Sequence, residues 1–298
     1  MQFIRLPRYQ RSSAVKSLRL TQRDWEILKN VHRHRFLRSD QLVALLRGSP
    51  QQSLRRLQRL YHHGYLERPR CQIDYFQSGS KRMVYGLGNK GAGVLKRELS
   101  LPYQKLDWPT KNRVGKIFLE HVLLVSRVMV AVELACRNRP DIQLLLPDEG
   151  VLRPLKWNVT MGNRSKCAVI PDRVFGMEFT GKSGQKNQSW FLLEADRGTM
   201  PVTRRDLNKS SFRRKLLAYE STWTQKIHQD RFGWNRFRVL TVTNNAERIA
   251  TMQQASRSLN RGHGLFLFLD EKTLADQKDF FALHWQTCRE GETVNLLS

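Results

Sequence analysis

Cysteine is scarce in this sequence, which contains four cysteines among 298 residues. They stand far apart and form no C-x-x-C pair, at Cys71, Cys136, Cys167 and Cys288. Structural zinc sites and disulfide frameworks need closely or regularly spaced cysteines. The sequence therefore argues against both, and we expect the four thiols to be reduced.

Long hydrophobic runs are also missing. No stretch approaches the ~18 apolar residues that a membrane-spanning helix needs. Arginine and proline interrupt residues 1–20, which makes this segment unlike a secretory signal. We therefore expect an intracellular, cytoplasmic protein without a membrane partner.

Acidic residues are half as numerous as basic ones, with 26 Asp and Glu against 52 Lys and Arg. The formal net charge is +26, and the first 100 residues hold 21 basic but only 6 acidic residues. Such a chain repels itself unless a polyanion neutralises it, so nucleic acid is the expected partner. The alternative is a protein kept soluble by its charge, but so large an excess goes beyond what solubility needs.

The chain is long enough for two domains, and its 40% hydrophobic content can fill their cores. A basic tail over residues 1–20 precedes a first domain over residues 21–100. Residues 101–115 contain two prolines and little periodicity, which is typical of a linker. The remaining residues, 116–298, form the predicted second domain.

Three short helices are predicted in the first domain. Thr21, three residues before Asp24, is typical of a capping box at a helix start. After a turn through residues 34–37, Ser39 can cap a second helix that Gly48 ends. This short spacing is what a helix-turn-helix needs.

The third helix has the clearest start, because Ser49 is a good N-cap and Pro50 suits the first helical position. Leu54, Leu57 and Tyr61 recur at helical spacing and predict its buried face. The polar residues must then spread over the other faces, and they are Gln51, Arg55, Arg56, Gln58, Arg59 and His62.

A hairpin is predicted after the third helix, since GYLERPRCQIDYF and QSGSKRMVYGL read as two strands joined by a turn. Three short helices and a hairpin, followed by a closing helix at GNKGAGVLKREL, resemble the winged helix-turn-helix family over about residues 20–99. In that family the third helix enters the major groove and the hairpin straddles a DNA backbone.

The resemblance implies a double-stranded DNA partner. Arginine can bond to guanine and glutamine to adenine, so the expected groove contacts are Gln51, Arg55, Arg56 and Arg59. Lys81 and Arg82, in the hairpin, would hold phosphates without reading sequence. The alternative is a winged helix used for protein contact, with its arginines as a solvated face.

The second domain is predicted to be an α/β domain with a mixed sheet. A long helix, KIFLEHVLLVSRVMVAVELACRNR, is followed by β-prone runs at IQLLL, KCAVIPDRVFGMEF and WFLLEADRG. A helix from about residue 204 to 228, a strand FRVLTVT, another helix and a strand GLFLFLD follow. A strand-helix-strand crossover implies that LLEAD and VLTVT run parallel.

Carboxylates stand on one of these predicted strands and at the end of the next. Asp172 follows Pro171, and Glu194 and Asp196 flank Ala195 at the end of the next strand. Converging carboxylates repel one another, and a divalent cation such as Mg²⁺ relieves this repulsion. Such an ion can orient a water and take charge from a scissile phosphate.

At these residues the sequence resembles the PD-(D/E)XK nuclease superfamily, whose core has the same order of helices and strands. The resemblance implies a catalytic site in which Asp172, Glu194 and the backbone carbonyl of Ala195 hold Mg²⁺ or Mn²⁺. The sequence departs from the pattern at Asp196, which replaces the motif lysine. Some members draw that lysine from the following helix, where Lys215 is the candidate; alternatively, Lys215 is an ordinary surface lysine.

Over nearly its whole length the sequence resembles the replication-relaxation family, found beside plasmid mobilisation and replication genes. The segments that carry this resemblance are LEHVLLVSRV, the PD at 171–172, FLLEADRGT, KLLAY and VLTVTNNAER. It implies DNA metabolism on a prokaryotic mobile element. The protein would be associated with the plasmid or nucleoid, and its partner would be a relaxase, a replication protein or another protein of the element.

Two functions remain open. One is a sequence-specific accessory or regulatory protein that binds duplex DNA and uses its nuclease-like domain as a platform. The other is a Mg²⁺-dependent endonuclease or nickase that cuts near the bound site. Convergence of Asp172, Glu194 and a lysine on a space of metal size would favour cleavage. An arginine or hydrophobic side chain that fills this space would favour DNA binding without cleavage.

Overall fold

The computed structural model describes residues 7–13, 17–73, 82–98, 114–147, 155–162, 165–181, 183–206, 209–260 and 262–297. The chain divides into two units, residues 1–130 and 131–298. Most of the predicted linker, residues 101–113, lies outside the described ranges. Within those ranges, no helix has both the length and the apolar character needed to cross a membrane.

The first unit combines helices with a small sheet. Its elements are α1 (Gln22–His34), β1 (Phe36–Arg38), α2 (Ser39–Leu45), α3 (Pro50–His62), β2 (Leu66–Glu67), β3 (Val84–Leu87) and α4 (Asn89–Glu98). Strand β3 lies between β1 and β2 and is antiparallel to both. The three helices and the closing helix are present as predicted, in a winged helix-turn-helix order, and β2 pairs with β3. The first predicted strand of the hairpin is much shorter than expected, because it ends at Glu67 and residues Arg70–Gln72 form a 3-10 helix after Pro69.

The sequence interpretation missed strand β1, which lies where a turn was expected. Its three residues pair with β3, opposite Val84, Tyr85 and Gly86. This pairing is invisible in the sequence because the partner strand lies nearly 50 residues further on. The tip of the predicted hairpin, residues 74–81, lies outside the described residues.

The core of the first unit forms where the apolar faces of its helices meet. Leu28, Val31, Leu42, Leu57 and Leu60 are fully buried. They recur at the spacing of one helix face, as expected for amphipathic helices around a common core. Because these residues are buried, the opposite face of each helix is the one exposed to solvent.

A long helix, α5 (Lys116–Arg137), contains the boundary between the two units. In the first unit, the hydroxyl of Ser126 donates to the carbonyl oxygens of His34 and Phe36, at 3.2 and 2.9 Å. Leu119 packs in a cluster with Phe36 and Val84. The first half of α5 is thus fixed to the end of α1 and to β1.

The second unit is built around a mixed sheet. Its elements are β4 (Ile142–Leu145), β5 (Trp157–Thr160), β6 (Lys166–Val169), β7 (Arg173–Thr180), β8 (Lys186–Asp196), α6 (Phe212–Thr224), α7 (Ile227–Asp230), β9 (Phe237–Thr243), α8 (Glu247–Arg257), α9 (Gly262–Leu265), β10 (Phe266–Asp270), α10 (Glu271–Asp276), β11 (Trp285–Gln286) and β12 (Thr293–Val294). Among the described residues the order of the main sheet is β12-β11-β10-β9-β8-β7-β4. β4, β7 and β8 are antiparallel neighbours, whereas β8, β9 and β10 run parallel. The predicted mixed sheet, including the parallel pair, is confirmed.

Two predicted elements of this unit have different bounds in the structure. The run KCAVIPDRVFGMEF is not one strand, because Pro171 has no N–H to donate to a ladder and separates β6 from β7. β6 pairs instead with β5 in a separate hairpin. The helix expected from residue 204 begins at Phe212, where the hydroxyl of Ser211 caps it by accepting from the N–H of Arg214 at 3.2 Å.

The core that positions the second unit's site lies between one face of the sheet and α6, α8 and the β5–β6 hairpin. Leu192, Val239, Leu216 and Met252 are buried in it. On α6, Phe212, Leu216 and Tyr219 are buried against this core and Trp223 is half-buried. Because β8 alternates between the two faces of the sheet, Glu194 lies on the same face as Leu192, beneath α6.

Candidate functional site

The outer face of α3 is the first candidate site. The hydroxyl of Ser49 accepts from the N–H of Gln52 at 3.4 Å, and Pro50 occupies the first turn, so the helix begins where the sequence predicts. The helix contains no acidic residue. Its exposed side chains are Pro50, Gln51, Gln52, Leu54, Arg55, Gln58 and Arg59.

One residue of the predicted buried face lies outside. Leu57 and Tyr61 are buried as expected, and Ser53 and Leu60 complete that face. Leu54, in contrast, is 46% exposed. Helical spacing alone does not resolve this position, because Leu54 lies on the flank between the buried and the polar faces.

Arg56 has a different position from the groove-facing one that the sequence suggested. Its Nε donates to Oδ1 of Asp24 at 2.5 Å, and its Nη2 bonds to Oδ2 of Asp24 and to the carbonyl of Arg19. Only 15% of its side chain is exposed. Arg56 therefore joins α3 to the start of α1 and is not available to a groove.

The electrostatics of this pair are those of a buried ion pair. Asp24 is fully buried, and burial opposes its ionisation. Hydrogen bonds from Arg56 and Thr21 outweigh that effect and lower the pKa of Asp24 below its ordinary value. The hydrogen bond with Asp24 also raises the pKa of Arg56, so both groups are charged at neutral pH.

The hairpin contributes one described candidate. Arg82 has 68% of its side chain exposed and lies 3.5 Å from a carboxylate oxygen of Asp40. Lys81 lies outside the described residues.

Arg23 is a further cation beside α3 that the sequence interpretation missed. Its guanidinium donates to Oε1 of Gln52 and to the carbonyl of Arg47, both at 3.2 Å. Gly48 has φ +99°, and a Cβ there would lie 2.7 Å from Nη2 of Arg23. Glycine therefore permits this approach, which only the folded turn between α2 and α3 reveals.

The second candidate site lies where β7 begins and β8 ends. Arg173 and Leu193 are the terminal pair of the β7–β8 ladder, and Asp172 directly precedes Arg173. The N–H of Asp172 donates to the carbonyl of Leu193 at 3.0 Å. The carboxylate of Asp172 accepts from the N–H of Ala195, the residue next to Glu194. The fold thus brings together the two carboxylates identified in the sequence.

Lys215 and Tyr219 reach this site from α6. Nζ of Lys215 lies 2.5 Å from Oε2 of Glu194, and the hydroxyl of Tyr219 donates to Oε1. Glu194 is 3% exposed. The role of Tyr219 was missed, because its spacing in the sequence indicates only a core position.

Burial and neighbouring charges shift the pKa values of Glu194, Lys215 and Tyr219. Burial raises the pKa of Glu194, and the nearby Asp172 adds to this effect. Burial alone would lower the pKa of Lys215, but the carboxylates of Glu194 and Asp172 hold it above its ordinary value. Burial and the adjacent Glu194 raise the pKa of Tyr219. At neutral pH, Lys215 is therefore a cation and Tyr219 a neutral donor.

Ala195 and Asp196 have other contacts. The N–H of Ala195 donates to Oδ2 of Asp172 at 2.8 Å. Asp196 accepts from Nε and Nη2 of Arg248, each at 2.9 Å, and from the hydroxyl of Thr243 at 3.0 Å. Asp196 thus anchors α8 to the sheet through Arg248, a residue that the sequence interpretation did not identify.

Glu194, Lys215 and Tyr219 line a cleft of about 250 Å³ between β6 and α6. Hard cations prefer carboxylate oxygens, and a cation would relieve the repulsion between Glu194 and Asp172. Glu194 and Asp172 are thus the oxygen ligands that a divalent cation would use, but Lys215 and Tyr219 occupy both carboxylate oxygens of Glu194. Among the described residues, no group of three or more His, Cys, Asp or Glu side chains could hold a metal, so backbone, water or DNA oxygens would complete the coordination.

Comparison with known proteins identifies the family. The family model described as replication-relaxation matches residues 28–236, a range that contains α3, both carboxylates and Lys215. The searches of curated proteins and of solved structures found no significant match. Because the matched region covers well over half of the 298 residues, the chain belongs to the replication-relaxation family.

Proposed function

We propose that this protein is a sequence-specific duplex DNA-binding accessory or regulatory protein in the replication, relaxation or mobilisation of a plasmid or other mobile element. The observation that carries this proposal is the outer face of α3, which is exposed and free of acidic side chains. Ser49 caps the helix, so this face begins at a defined residue. Family membership agrees with a role in replication or mobilisation.

The side chains on this face have the chemistry that base edges require. Arginine bonds to the O6 and N7 atoms of guanine, and glutamine to the N6 and N7 atoms of adenine. Arg55, Arg59, Gln51 and Gln58 are exposed, whereas Arg56 is held by Asp24 and is not part of the proposed surface. Arg82 and Lys81 would contact phosphates, which position a protein without specifying sequence.

Selection from a randomised duplex pool tests this function. The full chain should enrich one site, and the double variant Arg55→Ala/Arg59→Ala should enrich that site much less. The matched control is Arg97→Ala, which removes an exposed arginine from α4 and should enrich the same site as the wild type. A wild type that enriches no sequence would refute sequence-specific binding.

A second candidate function is metal-dependent cleavage of a DNA phosphodiester. It is favoured by the convergence of Asp172, Glu194 and Lys215, with the latter two lining one cleft. Asp172 and Glu194 would hold Mg²⁺ or Mn²⁺, which would polarise the phosphate and take up the charge that develops on it. Lys215 would supply the positive charge at the phosphate, because Asp196 occupies the position of the lysine in the PD-(D/E)XK motif.

Nicking of supercoiled plasmid in Mg²⁺ or Mn²⁺ tests this candidate. The wild type should nick, whereas Glu194→Gln and Lys215→Met should bind DNA but not nick. Lys209→Met, which changes an exposed lysine just before α6, should retain nicking. If the wild type binds its site and leaves plasmid intact in both metals, the domain serves as a platform only.

A further inference from the structure

Leu54 is the apolar exception on the polar face of α3. Its side chain is 46% exposed, although the buried face of the same helix holds Leu57 and Leu60 at 0%. Residues three and four apart are neighbours on a helix surface, so Leu54 lies beside Gln51 and Gln58. Both glutamines are exposed. One flank of α3 thus presents an isobutyl group between two amides.

An A·T base pair offers a matching set of groups in the major groove. Adenine presents the N7 acceptor and the N6 donor, which suit a glutamine amide, and thymine presents the C5 methyl group. An apolar side chain loses unfavourable hydration when it covers that methyl. Cytosine and guanine present no equivalent group.

We infer that Leu54 packs on the 5-methyl group of a thymine, while Gln51 or Gln58 bonds to an adenine of the same or the adjacent pair. This inference rests on the proposed function, and it names what the site read by α3 must contain. Leu54 is then a specificity-determining residue for A·T pairs. The nearby Arg55 and Arg59 give this face the positive charge that brings it to DNA.

A protein partner suits this surface less well. The centre of a protein interface gathers several aromatic and other apolar side chains. Leu54 instead is the one large apolar side chain exposed on α3, and its neighbours there are amides. DNA, with one apolar group among many polar ones in its groove, is the complementary surface.

The test replaces thymine by deoxyuridine, which lacks the methyl group but pairs identically. In the site selected with the full chain, each thymine is replaced in turn, and affinity is measured at fixed salt. One replacement should weaken wild-type binding about fourfold, the value of one buried methyl-sized group. Leu54→Ala should bind both duplexes equally, and Leu54→Met should retain the preference for thymine.

Leu297→Ala is the matched control, because it truncates a leucine that is 38% exposed and lies outside α3. It should discriminate thymine from deoxyuridine as the wild type does. If Leu54→Ala keeps the discrimination, or if no replacement affects the wild type, the assignment of Leu54 is wrong while the proposed function stands. A Leu54→Ala protein that binds unchanged but sediments as a smaller species would show a contact between copies and overturn the inference. If no duplex site is enriched at all, the proposed function itself fails.

Discussion

The guanidinium of Arg56 bonds to both carboxylate oxygens of Asp24, which is fully buried at the start of α1. The pair lies inside the first unit, while Arg55 and Arg59 of the same helix are exposed. Adjacent arginines of one helix therefore have separate tasks. One fixes α3 to α1, and the others are presented outward.

This division predicts opposite effects for two neighbouring substitutions. Arg56→Ala leaves the buried carboxylate of Asp24 without its cation and should cost about 3 to 5 kcal/mol of stability. Arg55→Ala removes an exposed side chain and should change stability by less than about 0.5 kcal/mol. Urea unfolding of both variants at pH 7 checks this, and equal effects would contradict the assignment of Arg56.

The same pair predicts a pH dependence. The folded protein lowers the pKa of Asp24 below its ordinary value of 3.8, so this carboxylate stabilises the fold above that value. The contribution is lost as the pH falls through the lowered pKa. Asp24→Asn should be less stable than the wild type at pH 7, and the difference should shrink on acidification below about pH 4. A difference that stays constant to pH 2.5 would disprove the linkage.

Salt dependence distinguishes phosphate contacts from base contacts. The logarithm of the association constant should fall linearly with the logarithm of salt concentration, by about 0.9 for each phosphate contact. Arg82→Ala and Lys81→Ala should each reduce this slope without changing sequence preference, whereas Arg56→Ala should affect it only through stability. A DNA association constant that does not change between low and physiological salt would contradict phosphate contacts, and the basic surface would then be assigned to a protein partner.

Metal linkage tests the carboxylate site. Asp172→Asn keeps an oxygen acceptor for the N–H of Ala195, so the metal-free protein should remain folded. Mn²⁺ or Mg²⁺ should raise the unfolding temperature of the wild type but not that of this variant. Lys215→Met removes the competing cation and should increase the metal-dependent shift. If wild type and variants are all indifferent to metal, Asp172 is a structural residue that holds the end of β8.

Local signals predicted the start of α3, because Ser49 and Pro50 act within one helical turn. Lys215 was a candidate only through the resemblance to the PD-(D/E)XK nucleases, and the structure places its Nζ 2.5 Å from Oε2 of Glu194. The roles of Arg56 and Asp196 were not predictable, because their partners lie 32 and 52 residues away along the chain. The exposure of Leu54 likewise depends on how α3 packs, which periodicity cannot determine at the flank of a helix.

The most direct test of the proposed DNA binding compares affinity for the selected duplex with affinity for a scrambled duplex at fixed salt. Arg55→Ala and Arg59→Ala should each reduce that ratio roughly 5- to 150-fold, corresponding to about 1 to 3 kcal/mol per lost base contact. Arg97→Ala should leave the ratio unchanged. Wild-type ratios in both α3 variants would contradict the assignment of α3 as the element that reads DNA sequence.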